Sequence, residues 1–393
     1  MESSDRRISI AHIHAGKKMC GCAAYIFNLM EYMDSSRFES HLTLLEEGEV
    51  SEAAEARGLP YFVAGKSKPG DPSTFLRLRK YYIDNGIDIC HTHTLNGNFY
   101  GRIASLIAPK TKIVTTVHTY MKKVIGDIAG KRVWLGKFML AQNKILSQGN
   151  AAFVVASEDL RQDILSDGAP EAKSHIVYNG IRLPDASEIP LEHSKMREEF
   201  GFSADTLVIG TAIRLVPSKN VQALIRGSAA LKKAGIAHKN LIIGQGGEAP
   251  KLKALVEELG LQDEVIFAGW RSDARTLVAG LDLYVQPSLE ENFPYGILEA
   301  MAMERPVLCF NTGSHPDMVE SGVTGYVCEH GNQEEFEKRI VELMTHHGRR
   351  ISFGTKSRER VQTHFTDDGM AAAMAAVYES VVSPEKTAKP AAA

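Results

Sequence analysis

Short apolar runs alternate with helix-length stretches along this chain, and the alternation happens twice. In the first half the strand-like runs are residues 8–14, 41–45, 61–64, 87–91, 113–118, 152–156 and 175–178, and helical patterns fall at 23–33, 73–85, 97–107 and 157–167. Residues 184–194, polar and carrying Pro184 and Pro190, read as a linker. The alternation then restarts, with strand-like runs at 207–213, 240–243, 265–268, 283–286, 307–310 and 325–327 and helical patterns at 220–234, 250–259 and 334–344. Strand and helix in turn argue for parallel, doubly wound sheets. Such sheets bind ligands beyond the C-terminal ends of their strands. Helices over 351–364 and 367–382 close the fold, and 383–393 reads as a disordered tail.

Composition narrows the function classes. A chain of 393 residues, 44% hydrophobic and 24% charged, suits two globular domains with sizeable cores. The formal net charge of -3 carries no basic signal for nucleic acid. Of the five cysteines, Cys90, Cys309 and Cys328 sit in apolar runs. The odd number and that placement predict reduced thiols in a cytosolic protein. Cys20-x-Cys22 lacks the second pair that a zinc site needs. Residues 1–7 are polar and do not read as a signal peptide. No apolar run approaches the ~20 residues of a membrane span.

Residues 286–310 carry the densest chemistry. They read as a strand end, a loop, a helix and a second strand. Asn292, Phe293 and Pro294 look like the helix start, with Asn292 as cap and Pro294 in the first turn. Glu291 lies in the loop and Glu299 eight residues later within the helix. A helix N-terminus between two carboxylates can take a phosphate while the carboxylates accept from sugar hydroxyls. The same spacing also fits a capped helix with two solvated glutamates. Arg214, at a strand end, and Lys219, just before a helix, make a pair of cations that can clamp a diphosphate. Gly244-Gln-Gly246-Gly247 follows another strand, but its spacing is not that of a dinucleotide loop. His91, His93 and His118 all fall at strand ends, where a histidine is either structural or a ligand contact.

Pro287, Ser288, Glu291, Glu299, Ala300, Met301, Ala302, Pro306 and Val307 together resemble the signature of the retaining family 4 glycosyltransferases. The resemblance implies the GT-B fold: two Rossmann-like domains facing across a cleft, with a C-terminal helix that crosses back to the first. The domains expected are 1–183 for the acceptor, 184–365 for the nucleotide sugar, the crossing helix 366–382 and the tail 383–393. By the same resemblance Glu291 holds the donor sugar, Glu299 the ribose, and His118 contacts the sugar. Arg214 and Lys219 match the family's cations although the neighbouring glycines are replaced by Ile213 and Asn220. Gly244 and Gly246 become the turn lining the nucleotide pocket, and Trp270-Arg271 falls where relatives hold the base. Of the family's Gly-Gly-x-Glu turn only Gly21 remains, with Cys22 and Ala24 in the other places. Asn292 and Pro294 stand where many members have Gly, and Pro294 removes a backbone donor facing the sugar.

The expected reaction is transfer of a sugar, with retention, from a nucleotide-sugar donor, a UDP-sugar favoured, to a saccharide or lipid-linked acceptor in cell-surface glycan synthesis. No Asp-x-Asp occurs in the chain, so neither a metal nor another cofactor is expected. Residues 120–147 hold Lys122, Lys123, Lys131, Arg132, Lys137 and Lys144 interleaved with Val133, Trp134, Phe138 and Leu140. This basic amphipathic pattern fits an anionic membrane surface, and equally a helix packed on its own domain. A cytoplasmic enzyme, peripheral at the inner face of the membrane, is the expectation. A GT-B sugar-nucleotide epimerase, a phosphorylase and a non-catalytic sugar-nucleotide-binding protein are the alternatives.

Overall fold

The structure, a computed structural model, describes residues 6–65, 71–130 and 132–383. The chain forms two compact units: Met1–Gly180 with Asp367–Ala393, and Ile181–Thr366.

The first unit is built on β1 (Ile8–His14), β2 (Phe38–Leu44), β3 (Tyr61–Val63), β4 (Ile89–Thr92), β5 (Lys112–Val117), β6 (Ala152–Val155) and β7 (Ser174–Ile176). They lie in the order β3-β2-β1-β4-β5-β6-β7, with every pairing parallel. Because side chains alternate along a strand, each β-strand feeds two cores. Ile10, Ile89, Val114 and Val154 pack with the helices Gly21–Tyr32 and Asp367–Val382, while Ala11, Ile13 and Cys90 join Leu78, Tyr82, Tyr100 and Ala104 on the other face. The final helix sinks Met370, Met374 and Tyr378 into the first of these cores, each side chain worth roughly 2 kcal/mol by burial alone. That is why the chain's last helix belongs to its first unit.

The second unit repeats the plan with β8 (Val208–Ala212), β9 (Lys239–Ile243), β10 (Val265–Gly269), β11 (Leu283–Gln286), β12 (Val307–Phe310) and β13 (Gly325–Cys328), in the order β10-β9-β8-β11-β12-β13, again all parallel. In both sheets the strand order reverses beside the first strand, between β1 and β4 and between β8 and β11. A crevice opens at such a switch point, outside the strand C-termini. The doubly wound reading of the sequence therefore holds for both halves.

Several expectations need correction. Residues 184–194 are not a free linker, because the helix Glu188–Glu199 runs through most of them, with Pro190 in its first turn, where no intrahelical N–H is lost. The basic stretch 120–147 is two helices, Met121–Ala129 and Val133–Ser147, broken at Gly130, whose φ of 52° ends the first. The helix after β11 starts at Tyr295, with Pro294 rather than Asn292 at its cap position. Apart from Ser383, the expected tail lies outside the described residues.

Candidate functional site

The switch point of the second sheet gathers charge. Beyond β8 the chain passes Arg214, makes a short turn over Pro217–Lys219, and enters the helix Val221–Lys233 through Asn220, which is left-handed at φ 48° and ψ 39°. Asparagine tolerates that conformation better than most residues, so it can stand where the family carries glycine. Beyond β11 come Ser288 and Glu291. Glu291 Oε1 accepts from Lys219 Nζ at 2.5 Å, from Gln286 Nε2 at 2.8 Å and from Ser288 Oγ at 3.1 Å. Gln286 is fixed in turn by the Tyr284 hydroxyl, which donates to its Oε1 at 3.0 Å. Among the described residues no bond claims Glu291 Oε2. Lys219 also donates to the Glu290 carbonyl at 3.2 Å, which leaves it one N–H. One carboxylate oxygen is thus anchored by three donors, while the other is left for a ligand.

Gly313, at φ 51°, supports this loop: a Cβ there would lie 2.0 Å from the Glu291 carbonyl oxygen, so only glycine lets the two main chains meet. Arg214 is exposed and takes part in no ion pair among the described residues. The helix Tyr295–Ala302 has no side-chain cap at its N-terminus. Glu299, partly buried within it, has its pKa pushed up to about 7 because the surrounding protein excludes water, with Arg275 opposing the shift. Two cations, a carboxylate oxygen and an uncapped helix end at one switch point suit a polyanion linked to hydroxyl-bearing groups.

The switch point of the first sheet gathers histidines instead. Three neighbouring strands carry apolar residues early on one face and polar ones late: Ile10, His12 and His14; Ile89, His91 and His93; Val114, Thr116 and His118. His91 is held on both sides, by the Tyr378 hydroxyl at 2.7 Å from Nδ1 and by Thr116 Oγ1 at 2.6 Å from Nε2. His93 Nδ1 lies 3.0 Å from His118 Nε2. Burial lowers the pKa of His12 to about 3 and that of His118 to about 4, and holds His91 and His93 well below the usual histidine range. All four are neutral at physiological pH. His12, His91 and His93 each bring a ring nitrogen within 4.8 Å of the others, the donor chemistry of a metal site. A cation there would have to displace Tyr378 or Thr116 from His91, and the group holds no carboxylate to balance its charge.

Comparison with known proteins agrees with this architecture. The sequence model of Glycosyltransferase Family 4 matches residues 19–183, and that of glycosyl transferases group 1 matches residues 192–360. The chain belongs to the family 4 glycosyltransferases. It is 24% identical to N-acetyl-alpha-D-glucosaminyl L-malate synthase of Bacillus anthracis, over 77% of either chain. It is 22% identical to the UDP-Gal:alpha-D-GlcNAc-diphosphoundecaprenol alpha-1,3-galactosyltransferase of Escherichia coli, over 87% of this chain and 89% of that one. Among solved structures, Anabaena HepE in complex with UDP and glucose superimposes with a TM-score of 0.79 at 21% identity, covering 95% of this chain and all of the other, which places the fold as GT-B.

Within this glycosyltransferase the residues singled out in the sequence scatter in instructive ways. Lys219 and Glu291 meet directly, and Arg214 and Glu299 lie on segments of the same switch point. His118 sits on the other sheet. Phe293 is buried with its ring edge-on to Phe365, so it packs the core. Asn292 contributes its carbonyl to Ser314 N–H at 3.2 Å. Gly244 and Gly246 admit close backbone packing: a Cβ at either would fall 1.9 or 2.1 Å from the carbonyls of Ile213 and Leu215. Trp270 is 66% exposed, whereas Arg271 is tied to Glu199 at 2.5 Å and Asp273 at 2.7 Å. Gly21 opens its helix with no atom near its absent Cβ. Sequence reasoning named Ser288 only as part of the signature, and missed Gln286 and Gly313, together with His12 and His14. A period of two in the histidines of β1 and β4 was the signal for the last pair.

Proposed function

We propose that this glycosyltransferase moves a sugar from a nucleoside diphosphate, with UDP-sugars favoured, onto a saccharide or lipid-linked acceptor of a cell-surface glycan, with retention and without a metal. The observation that carries the reading is the Lys219 and Glu291 pair, at the point where a doubly wound sheet binds its ligand, with the exposed Arg214 on the segment that follows β8. Departure of a nucleoside diphosphate places negative charge on its oxygens. Arg214, the remaining N–H of Lys219 and the uncapped helix end stabilise that charge, the task a metal performs elsewhere. Glu291 Oε2 accepts from a sugar hydroxyl and sets the anomeric carbon, and Glu299 accepts from the ribose. His118 adds a hydrogen bond to the sugar. A diphosphate oxygen takes the acceptor's proton on the face it leaves, so configuration is kept.

The E. coli relative is named for UDP-Gal and a diphosphoundecaprenol-linked acceptor, which supports this choice of substrates. The helices Met121–Ala129 and Val133–Ser147 support contact with an anionic bilayer. Ile128, Val133, Trp134, Phe138 and Ile145 are 50–70% exposed, with Arg132, Lys137 and Lys144 exposed among them. Exposed aromatics beside cations suit an interfacial site. Lys122 is paired with Asp167, and Lys131 lies outside the described residues. No helix of the described residues is long and apolar enough to cross a membrane. A cytoplasmic enzyme resting on the membrane's inner face follows from this reading.

A panel of UDP-, GDP- and ADP-sugars, assayed for thermal stabilisation and slow hydrolysis with and without EDTA, tests the donor assignment. One nucleotide should stabilise the protein and its sugar should be hydrolysed, both insensitive to EDTA. Stabilisation by none of them overturns the reading. Loss of turnover with retained nucleotide binding in Glu291→Ala separates an enzyme from a binding protein.

A further inference from the structure

The described residues hold a buried group that the proposed chemistry leaves unused. His93, 0% exposed, sits behind His118. Its Nδ1 lies 3.0 Å from His118 Nε2, and the two rings stack with centroids 5.3 Å apart and planes 29° from parallel. Tyr25 packs against both rings, edge-on to His118 at 5.1 Å and tilted to His93 at 5.8 Å. His118 is therefore backed by two buried rings and has one nitrogen, Nδ1, left to offer.

Both imidazoles are neutral, so each carries one proton, and a single proton lies between them. It belongs either to His93 Nδ1 or to His118 Nε2. The far nitrogen of His93, Nε2, decides which. It is buried without a hydrogen-bond partner. Were the shared proton on His118 Nε2, His93 Nδ1 would be an acceptor and its own proton would sit on that orphaned Nε2. A buried, unpaired N–H is among the rarest groups in folded proteins, rarer than an acceptor with a spare lone pair. With the proton on His93 Nδ1, the orphan is a bare lone pair. His118 Nε2 then accepts, and the proton of His118 must be on Nδ1.

We propose that His93 is a positioning residue. Its Nδ1–H donates to His118 Nε2, which fixes His118 in the Nδ1–H tautomer and makes it a hydrogen-bond donor to an oxygen of the donor sugar. The neighbour thus sets which way a neutral histidine reads its ligand, as a carboxylate or carbonyl does for histidines elsewhere. The role in catalysis rests on the place given to His118 in the proposed function; the tautomer does not.

Long-range 1H–15N correlation spectra of histidine-labelled protein, with His118 assigned by its loss in His118→Gln, read the tautomer directly. His118 should carry its proton on Nδ1 in the wild-type protein. In His93→Phe, which keeps the ring volume but has no nitrogen, it should move to Nε2. His93→Asn, whose amide can donate from near the Nδ1 position, should preserve the Nδ1–H form. Donor kcat/KM should follow: roughly tenfold lower in His93→Phe, as for one lost hydrogen bond, and largely restored in His93→Asn. A purely structural His93 gives the opposite order, with Phe tolerated and Asn not. A His118 found as Nε2–H in the wild type, or unchanged in His93→Phe, overturns the proposal. A wild-type protein inactive with every nucleotide sugar overturns the transferase chemistry instead and leaves the tautomer measurement to decide the positioning role.

Discussion

Two sheets of one topology end in two different chemistries. The switch point of the second sheet presents Arg214, Lys219 and Glu291, with one carboxylate oxygen fully anchored and the other left over. That of the first sheet presents neutral histidines on three adjacent strands, held by hydroxyls and by one another. The strand order supplies a crevice in both cases, and the residues at the strand ends decide what it can hold. Charge at the second favours a diphosphate, whose binding is mainly electrostatic. Uncharged, directional groups at the first favour hydroxyls and other neutral oxygens, where geometry matters more than field. On the proposed function, the fold divides the labour between binding a polyanion and reading a polar, uncharged surface.

The largest test of that division is removal of a cation. Lys219→Ala removes a cation proposed to hold the diphosphate and leaves Glu291 without its ion-pair partner, and turnover should fall about 100- to 1,000-fold in steady-state assays. A loss below threefold would mean that the charge at this switch point is incidental.

Next comes the backbone beneath Glu291. Gly313→Ala meets the Glu291 carbonyl oxygen at 2.0 Å in a left-handed conformation. Denaturant unfolding should show a loss of about 2–4 kcal/mol, with turnover reduced further than stability explains as the loop shifts. Unchanged stability would mean that the close approach is relieved without cost.

Glu299 gives a subtler handle. Burial raises its pKa from 4.5 to about 7, so the folded protein holds a proton that the unfolded chain releases above pH 4.5. Its contribution to stability is full below pH 4.5, declines as pH rises and is gone above about 7, a span worth about 3 kcal/mol at most. Glu299→Gln should flatten that part of the pH–stability curve. Ribose hydroxyls donating to the carboxylate favour its ionised form, so UDP binding near pH 6.5 should release a proton. Calorimetry in buffers of different ionisation enthalpy would show it, and Glu299→Gln should abolish it. Proton uptake on binding would place the ribose elsewhere.

The smallest effect belongs to the first switch point. Tyr378→Phe removes the hydroxyl bonded to His91 Nδ1 and should cost about 1 kcal/mol of stability while leaving UDP affinity unchanged. A drop in UDP affinity would blur the division between the two sites.

Much of this was readable beforehand, for physical reasons. Parallel strands covered on both faces are near-continuous apolar runs, so β6 and β12 stand out of the sequence. The unit around Glu291 and Glu299 was visible because a loop, a helix start and a buried strand follow within 25 residues. What stayed hidden depends on tertiary contact. The helix Glu188–Glu199 buries little beyond Ile189, Met196 and Arg197, so its composition is that of a solvated linker. Gln286 and Ser288 read as the end of a strand, and only the fold aims them at Glu291. The histidine face required knowing that β1, β4 and β5 are neighbours, an order the sequence does not state.

The most direct test is calorimetric titration of UDP into the wild-type protein in EDTA, repeated with Arg214→Ala and Lys219→Ala. UDP should bind without divalent cations, and each substitution should weaken it about tenfold or more, as expected for loss of a charge-assisted contact. UDP binding that disappears in EDTA, or that ignores both substitutions, would contradict a metal-free diphosphate site at the second switch point.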